Sequence, residues 1–270
     1  MSNPVGAFIW YELMTTDPEG AAAFYGPVVG WKIIGHSDPQ SAADGMDYRM
    51  IERSDGGNAG GVLKLTQQMC DGGARPCWIG YHHVTDVDAA VRAIEADGGK
   101  ALMPALDIEV GRIALVTDPQ GVPHYVMTPR PPAGAPADAR SDVYDRHAEQ
   151  RVGWNELMSP DLEGAKAFYA KHYRFEFNDI MPMGPMGDYC FIDHGGQQIG
   201  AMMQKSADMP VGMWNFYIRV PGSIDTATAK VKELGGQVFN GPMEVPGGEW
   251  IINGMDPQGA PFSLVGTKGQ

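Results

Sequence analysis

The sequence predicts an α+β protein built from four copies of one short module, each a strand, a helix and two or three further strands. Two strong repeats and one fainter repeat indicate this. WYELMTTDPEGAAAFYG at 10–26 returns as WNELMSPDLEGAKAFYA at 154–170, and the turn TDPQGVP at 117–123 returns as MDPQGAP at 255–261. Inside the first half, CWIGYHHVTDVDAAVRAIEADGG at 77–99 repeats the order of strand, acidic turn and helix. The chain therefore consists of two similar halves, and each half consists of two modules.

Helix-capping residues mark the helices of the first two modules. Asp17 can cap the first helix, with Pro18 at its first position, and Gly30 predicts its end. In the second module Ile94 continues a helical period, which the pair Gly98–Gly99 ends.

Short runs rich in β-branched and aromatic residues predict the remaining strands. In the first half they are DYRMIER at 47–53, GGVLKLTQ at 60–67, RIALVTD at 112–118 and PHYVMT at 123–128. A Pro/Ala-rich stretch without apolar periodicity lies between the halves and is typical of a linker. We therefore predict a first domain over 1–129, a linker over 130–149 and a second domain over 150–270.

Composition limits the possible partners and location of the chain. The 270 residues carry a net charge of −13 with a pI of about 4.8, and such an acidic protein repels phosphate backbones, so no nucleic-acid partner is expected. There is no apolar run long enough to span a membrane, and no signal peptide is expected at the start. The three cysteines (Cys70, Cys77 and Cys190) form no CxxC pair. These features favour a reduced, cytoplasmic protein, either a monomer or a homodimer.

Several phrases together resemble those of the vicinal oxygen chelate superfamily, which includes glyoxalase I, bleomycin-resistance proteins and extradiol dioxygenases. They are DPEGAAAFY at 17–25, the step Gly30–Trp31, DVDAA at 86–90 and DPQG at 118–121 and 256–259. The resemblance covers nearly the whole chain outside the linker. It implies four βαβββ modules in two tandem glyoxalase-like domains, whose curved mixed sheets enclose clefts. It also implies a divalent metal held by His, Glu or Gln side chains on the cleft-facing strands.

The positions at which the resemblance places metal ligands carry other residue types here. They are Trp10, Lys64, Ile79, Tyr125, Trp154, Asn215 and Ser263. Tryptophan and isoleucine cannot bind such a metal, and a lysine would repel it. The sequence therefore predicts no metal cofactor. An unusual divalent site formed by Glu12, His83 and Tyr125 is an alternative.

Alternation along the strands extends the set of cleft-facing residues, since every second side chain shares a face. The set gains Glu12, Met14, Tyr81, His83, Glu156, Tyr217 and Arg219, whereas His82 should face the helices. Aromatic and methionine walls with a few polar groups are typical of a pocket for an organic ligand.

We expect a small-molecule-binding protein in which Glu12 contacts the ligand, and a drug- or metabolite-binding protein of the resistance kind is one form that it could take. The carboxylate of Glu12 could also abstract a proton together with His83, which would make the chain a glyoxalase-like lyase or isomerase, or a hydroxylase-type enzyme. For Glu156 a structural role is the alternative, with Arg219 as a cross-strand partner. A third hypothesis is a structural or interaction protein with a vestigial cleft.

Overall fold

The computed structural model describes residues 3–35, 46–131, 134, 136 and 139–269. Within that part of the chain the helices are few and short. They are α1 (Pro18–Val29), α2 (Gln67–Asp71), α3 (Val87–Ala96), α4 (Leu162–Tyr173) and α5 (Ile224–Glu233). None of these described helices is long and apolar enough to cross a membrane.

The first half forms one mixed sheet. Its strands are β1 (Phe8–Thr15), β2 (Lys32–Ile34), β3 (Tyr48–Glu52), β4 (Asn58–Lys64), β5 (Cys77–His83), β6 (Lys100–Ala101), β7 (Leu106–Ile108), β8 (Gly111–Thr117) and β9 (Pro123–Pro129). The strand order is β2-β3-β4-β1-β5-β9-β8-β6, with β7 also paired to β8. The strands predicted at 47–53, 60–67, 112–118 and 123–128 are confirmed as β3, β4, β8 and β9.

The second half repeats this sheet. Its strands are β10 (Val152–Ser159), β11 (Ile180–Pro182), β12 (Asp188–His194), β13 (Gln197–Gln204), β14 (Met213–Ser223), β15 (Gln237–Val245), β16 (Glu249–Met255) and β17 (Pro261–Thr267). Their order, β11-β12-β13-β10-β14-β17-β16-β15, matches that of the first sheet position by position. The predicted α+β class with two mixed sheets is therefore confirmed.

The predicted helix caps form as the sequence indicated. Asp17 accepts a hydrogen bond from the backbone N–H of Gly20 at 3.0 Å, and the helix ends at Gly30 in the left-handed conformation. Asp161 caps α4 in the same way, but that helix ends at Arg174, which takes a left-handed φ of 59° without being a glycine.

Contacts divide the chain into two compact units, each of which combines segments from both halves. The first unit comprises Met1–Ile9, Ile79–Asp142 and Asn155–Trp214, and the second comprises Trp10–Trp78, Val143–Trp154 and Asn215–Gln270. The domain boundaries at 129 and 150 remain predictions. Residues 132, 133, 135, 137 and 138 of the predicted linker lie outside the described residues.

The core of the first unit combines aromatic rings with buried histidines. His82 is fully buried and stacks on Tyr173 of α4 at 4.2 Å between ring centroids, so it faces the helices as predicted. His124 places its Nε2 atom 2.5 Å from the hydroxyl of Tyr173. Nearby, the hydroxyl of Tyr169 donates to the Asp118 carboxylate of the first DPQG turn, at 3.3 Å. The repeated FY and DPQG phrases thus meet in the core.

The second unit repeats that last contact. Tyr25 of α1 donates to Asp256 of the second DPQG turn at 3.1 Å and accepts a hydrogen bond from the indole of Trp78. Phe262 of β17 packs edge-on against Phe24 of α1, with 5.5 Å between ring centroids. Because side chains alternate along a strand, the neighbours of Phe262 face away from this helix. That alternation places Ser263 on the face of the sheet away from α1.

Candidate functional site

The Trp-x-Glu-x-Met strand of the first module lies in the second unit and is largely buried. Glu12 is 2% exposed, Met14 is buried, and Trp10 is half-buried. The indole N–H of Trp10 donates to the hydroxyl of Tyr48 at 2.8 Å. The ring of Tyr48 passes over Gly61 to reach the indole of Trp10. Gly61 is the register partner of Glu12 on β4. The sequence predicted the carboxylate and the tryptophan but missed the tyrosine.

Two further side chains lie close to this strand, Cys77 at the start of β5 and Lys64 at the end of β4. Burial, together with the negative charge of Glu12, raises the pKa of the Cys77 thiol to about 12, so this cysteine stays protonated at neutral pH. Lys64 is exposed at the end of β4. A ligand contact by Lys64 therefore remains a prediction without further support.

Replacing Gly61 by alanine should disrupt the Trp10–Tyr48 contact. A Cβ atom at this position would lie 2.1 Å from the Tyr48 hydroxyl, so the ring must move. We expect a loss of about 1–3 kcal/mol in unfolding free energy and a changed near-ultraviolet circular dichroism of the aromatic rings. The reverse change at the equivalent position, A201G, is the control, because Ala201 already carries a Cβ atom opposite Glu156. Unchanged aromatic signals in G61A would contradict the close packing described here.

The residues of the second module that were predicted to face a cleft lie in the first unit. The rings of Tyr81 and Tyr125 are register partners on β5 and β9 and stack with 4.2 Å between centroids. Ile79 is buried on the same strand. His83 is also buried, and its Nδ1 atom lies 3.2 Å from the carbonyl oxygen of Pro4. The imidazole of His83 is thus directed at the N-terminal segment.

Glu156 and Arg219 both have hydrogen-bond partners that the sequence did not indicate. The hydroxyl of Tyr189 donates to Oε2 of Glu156 at 2.8 Å. Arg219 forms an ion pair with Glu249 and donates to the carbonyl of Arg146 at 2.7 Å. One repeated signal could have located the two missed tyrosines, because DY at 47–48 recurs as DY at 188–189.

A row of uncharged polar side chains crosses the face of the sheet away from α1 in the fourth module, from the buried Asn215 and Ser263 to the exposed Asn240. We call Asn215, Ser263, Asn253 and Asn240 the polar row. Ser263 donates to Oδ1 of Asn215 at 2.8 Å. Nδ2 of Asn253 donates to Ser263 at 2.7 Å and to the hydroxyl of Tyr217 at 3.2 Å. Asn240 continues the row to the exposed edge strand, where it donates to Asn253 at 3.1 Å.

An apolar cluster lies beside the polar row on the same face. It consists of Tyr217, Ile251 and Val265, with Trp154 and Val245 packed against them. The guanidinium of Arg146 sits 5.1 Å from the ring centroid of Trp154. The face thus changes from hydrogen-bonding groups to apolar groups along its strands, and Tyr217 of the apolar cluster accepts a hydrogen bond from the polar row.

These side chains do not fit the divalent metal that the resemblance implied. Asn215 and Ser263 are hydrogen-bonded to each other, and Tyr125 is stacked on Tyr81. Trp10 and Trp154 offer no ligand atom. Among the residues that the structure describes, no group of three or more His, Cys, Asp or Glu side chains could hold a metal ion.

Comparisons with known proteins agree with this fold. The sequence model of the "Glyoxalase/Bleomycin resistance protein/Dioxygenase superfamily" matches residues 7–123. A protein named "Putative glyoxylase CFP32" of Mycobacterium tuberculosis (strain CDC 1551 / Oshkosh) is 29% identical, covering 95% of this chain and 93% of that protein. The "Anthracycline biosynthesis protein DauV" of Streptomyces sp. (strain C5) is 27% identical, covering 96% and 93%.

Among solved structures, the Mn(II)-bound glyoxalase from Novosphingobium aromaticivorans superimposes with a TM-score of 0.63 at 16% identity, covering 98% of this chain and 83% of that chain. The 2,3-dioxygenase LapB from Pseudomonas sp. KL28 gives a TM-score of 0.60 at 14% identity, covering 99% and 94%. At such identities these similarities concern the fold alone. The resemblance that the motifs indicated is confirmed: residues 7–123 belong to the glyoxalase/bleomycin resistance protein/dioxygenase superfamily, and the second sheet repeats their fold.

Proposed function

We propose that the chain is a small-molecule-binding protein that holds an organic ligand without a metal ion, on the polar row and the apolar cluster of the second unit. The main support for this proposal is the hydrogen-bonded polar row. Asn215 and Ser263 stand where the resemblance placed metal ligands, yet both belong to a network of amides and hydroxyls.

The chemistry of this face favours a neutral ligand with an apolar ring and a carbonyl or hydroxyl oxygen. Amide and hydroxyl groups both donate and accept hydrogen bonds without carrying charge. The adjacent cluster supplies aromatic and aliphatic contact area for a ring. The relatives named as anthracycline biosynthesis proteins support an organic ligand, because their name refers to the making of such a compound.

Truncating Asn253 should weaken binding, because its amide joins Ser263, Tyr217 and Asn240. A thermal-shift screen of neutral aromatic ketones and alcohols, from acetophenone to 9-fluorenone, identifies a probe, and calorimetry measures its affinity. We expect N253A to bind the probe about tenfold more weakly, as the loss of one or two buried hydrogen bonds implies. N178A is the control, because Asn178 is an exposed asparagine in the other unit.

Removal of metal provides the second arm of this test. Protein purified without added metal should contain no stoichiometric zinc, manganese, iron or nickel by elemental analysis. The affinity for the probe should also be the same with and without EDTA. A stoichiometric metal whose removal abolishes binding would overturn the proposal, and so would equal affinities of N253A and the unmodified protein.

A further inference from the structure

A row of methionines and one tyrosine crosses the four strands of the third module. Met158 on β10 is the register partner of Met203 on β13, which is the partner of Tyr189 on β12, which is the partner of Met181 on β11. All four side chains are half-buried. Because register partners share a face, these side chains form one continuous surface, which we call the methionine face.

The methionine face lies on the side of the sheet away from α4. Leu157, Met202 and Cys190 alternate with its residues and are almost completely buried. Cys190 also lies within electrostatic range of Lys166 and Glu163, which belong to α4. The half-exposed methionines therefore face the opposite direction, as do the groups that the superfamily resemblance assigns to a cleft.

A carboxylate and a second ring lie in the next row of the same face. Glu156 pairs in register with Ala201, which pairs with Phe191. Glu156 is 8% exposed and accepts a hydrogen bond from Tyr189. The rings of Tyr189 and Phe191 meet edge-on with 5.4 Å between centroids.

The groups of this surface share one electrostatic property. A carboxylate attracts cations directly, the faces of aromatic rings attract them through the ring quadrupole, and thioether sulfurs are weak, polarizable acceptors. Methionine side chains also adapt their shape to an apolar ring or chain. Their combination complements a molecule that has an apolar body and one positive charge.

We propose that the methionine face, with Glu156 and Phe191, binds the protonated amine of a small aromatic or alkyl amine. The ammonium group contacts the Glu156 carboxylate and the two rings, while the apolar body lies on Met158, Met181 and Met203. This is a second binding surface, in the first unit and with a preference for positive charge, and it can fail separately from the proposed function because it depends on Glu156 and not on Asn253.

The test compares two probes that share a naphthylmethyl body and differ in the charge of the polar group, 1-naphthylmethylamine and 1-naphthalenemethanol. Calorimetry near pH 7 should show the amine binding to the unmodified protein at least about tenfold more tightly than the alcohol. In E156Q, which keeps the shape of the side chain, the two probes should bind about equally. E163Q is the matched control: it removes one exposed negative charge of the same unit and should keep the preference for the amine.

A second variant covers the case in which E156Q fails to fold. M203K places a tethered ammonium on the half-exposed face next to Glu156, so it should compete with the amine and weaken its binding about tenfold. Equal affinity of both probes for the unmodified protein would overturn the inference. A preference that survives in E156Q would also overturn it, because the charge of the surface as a whole would then explain it.

Discussion

Acidification from pH 7 to pH 4 is expected to destabilise the protein, chiefly through the buried histidines of the first unit, and His124 alone should contribute about 3 kcal/mol of this loss. Burial lowers the pKa of His124 to about 3. Burial, together with the nearby His124 and His194, holds the pKa of His82 far below its usual range. In the unfolded chain these imidazoles take up a proton near pH 6.5, whereas in the folded state they do not. Their contribution to stability is therefore complete above pH 6.5 and is lost as the pH falls below it.

Asp118 acts in the opposite direction over part of this range. Burial raises the pKa of its carboxyl to about 6, so the folded state binds this proton more tightly than the unfolded state does. Its contribution to stability therefore increases as the pH falls from about 6 to about 4, by up to about 3 kcal/mol. Asp256 in the second unit acts in the same direction, because burial raises the pKa of its carboxyl as well. Burial lowers the pKa values of His82, His124, His172 and His194, and we expect these histidines to outweigh the two carboxyls.

Urea denaturation between pH 7 and pH 4 measures this dependence. In H124N the loss of stability per pH unit should be smaller by about 1.4 kcal/mol, because one titrating group has been removed. H147N is the control, since His147 is exposed, and its pH dependence should match that of the unmodified protein. Identical slopes for H124N and the unmodified protein would show that His124 does not carry the effect.

Local features of this fold could be predicted from the sequence because their signals are local. Asp17 and Asp161 cap their helices, and alternation placed His82 on the helix side of β5. The repeat likewise fixed the strand order of the second sheet once that of the first was known. The helix caps and the alternation rest on residues a few positions apart, and the strand order of the second sheet rests on the repeat between the halves.

Contacts between distant segments could not be predicted in this way. The sequence identified the FY and DPQG phrases as repeats, but nothing in it shows that Tyr25 pairs with Asp256 or that Tyr169 pairs with Asp118. The members of the polar row could be predicted only in part for the same reason. Asn215 and Ser263 were predicted from the superfamily resemblance and Tyr217 from alternation, but Asn253 lies on a strand whose register the sequence does not determine.

Replacing Tyr169 by phenylalanine should cost about 2–4 kcal/mol of unfolding free energy at pH 7. The Tyr169 hydroxyl accepts a hydrogen bond from the indole of Trp214 at 2.9 Å and donates one to Asp118 at 3.3 Å. Its removal leaves a buried indole N–H and a buried carboxylate without this partner. Burying a polar group that has lost a partner lowers the unfolding free energy. Y25F should show a similar cost, because Tyr25 stands between Trp78 and Asp256 in the same way.

Two further measurements distinguish this hydrogen-bond network from a simple packing defect. In a double-mutant cycle of Y169F with D118N, we expect a coupling energy of about 1 kcal/mol or more, since both residues act on one contact. The cost of Y169F should also decrease between pH 7 and pH 5. The hydrogen bond from Tyr169 lowers the pKa of Asp118, so its loss raises that pKa, and a protonated carboxyl is cheaper to bury than a charged one. Additive effects with a cost independent of pH would mean that the hydroxyl serves only to fill space.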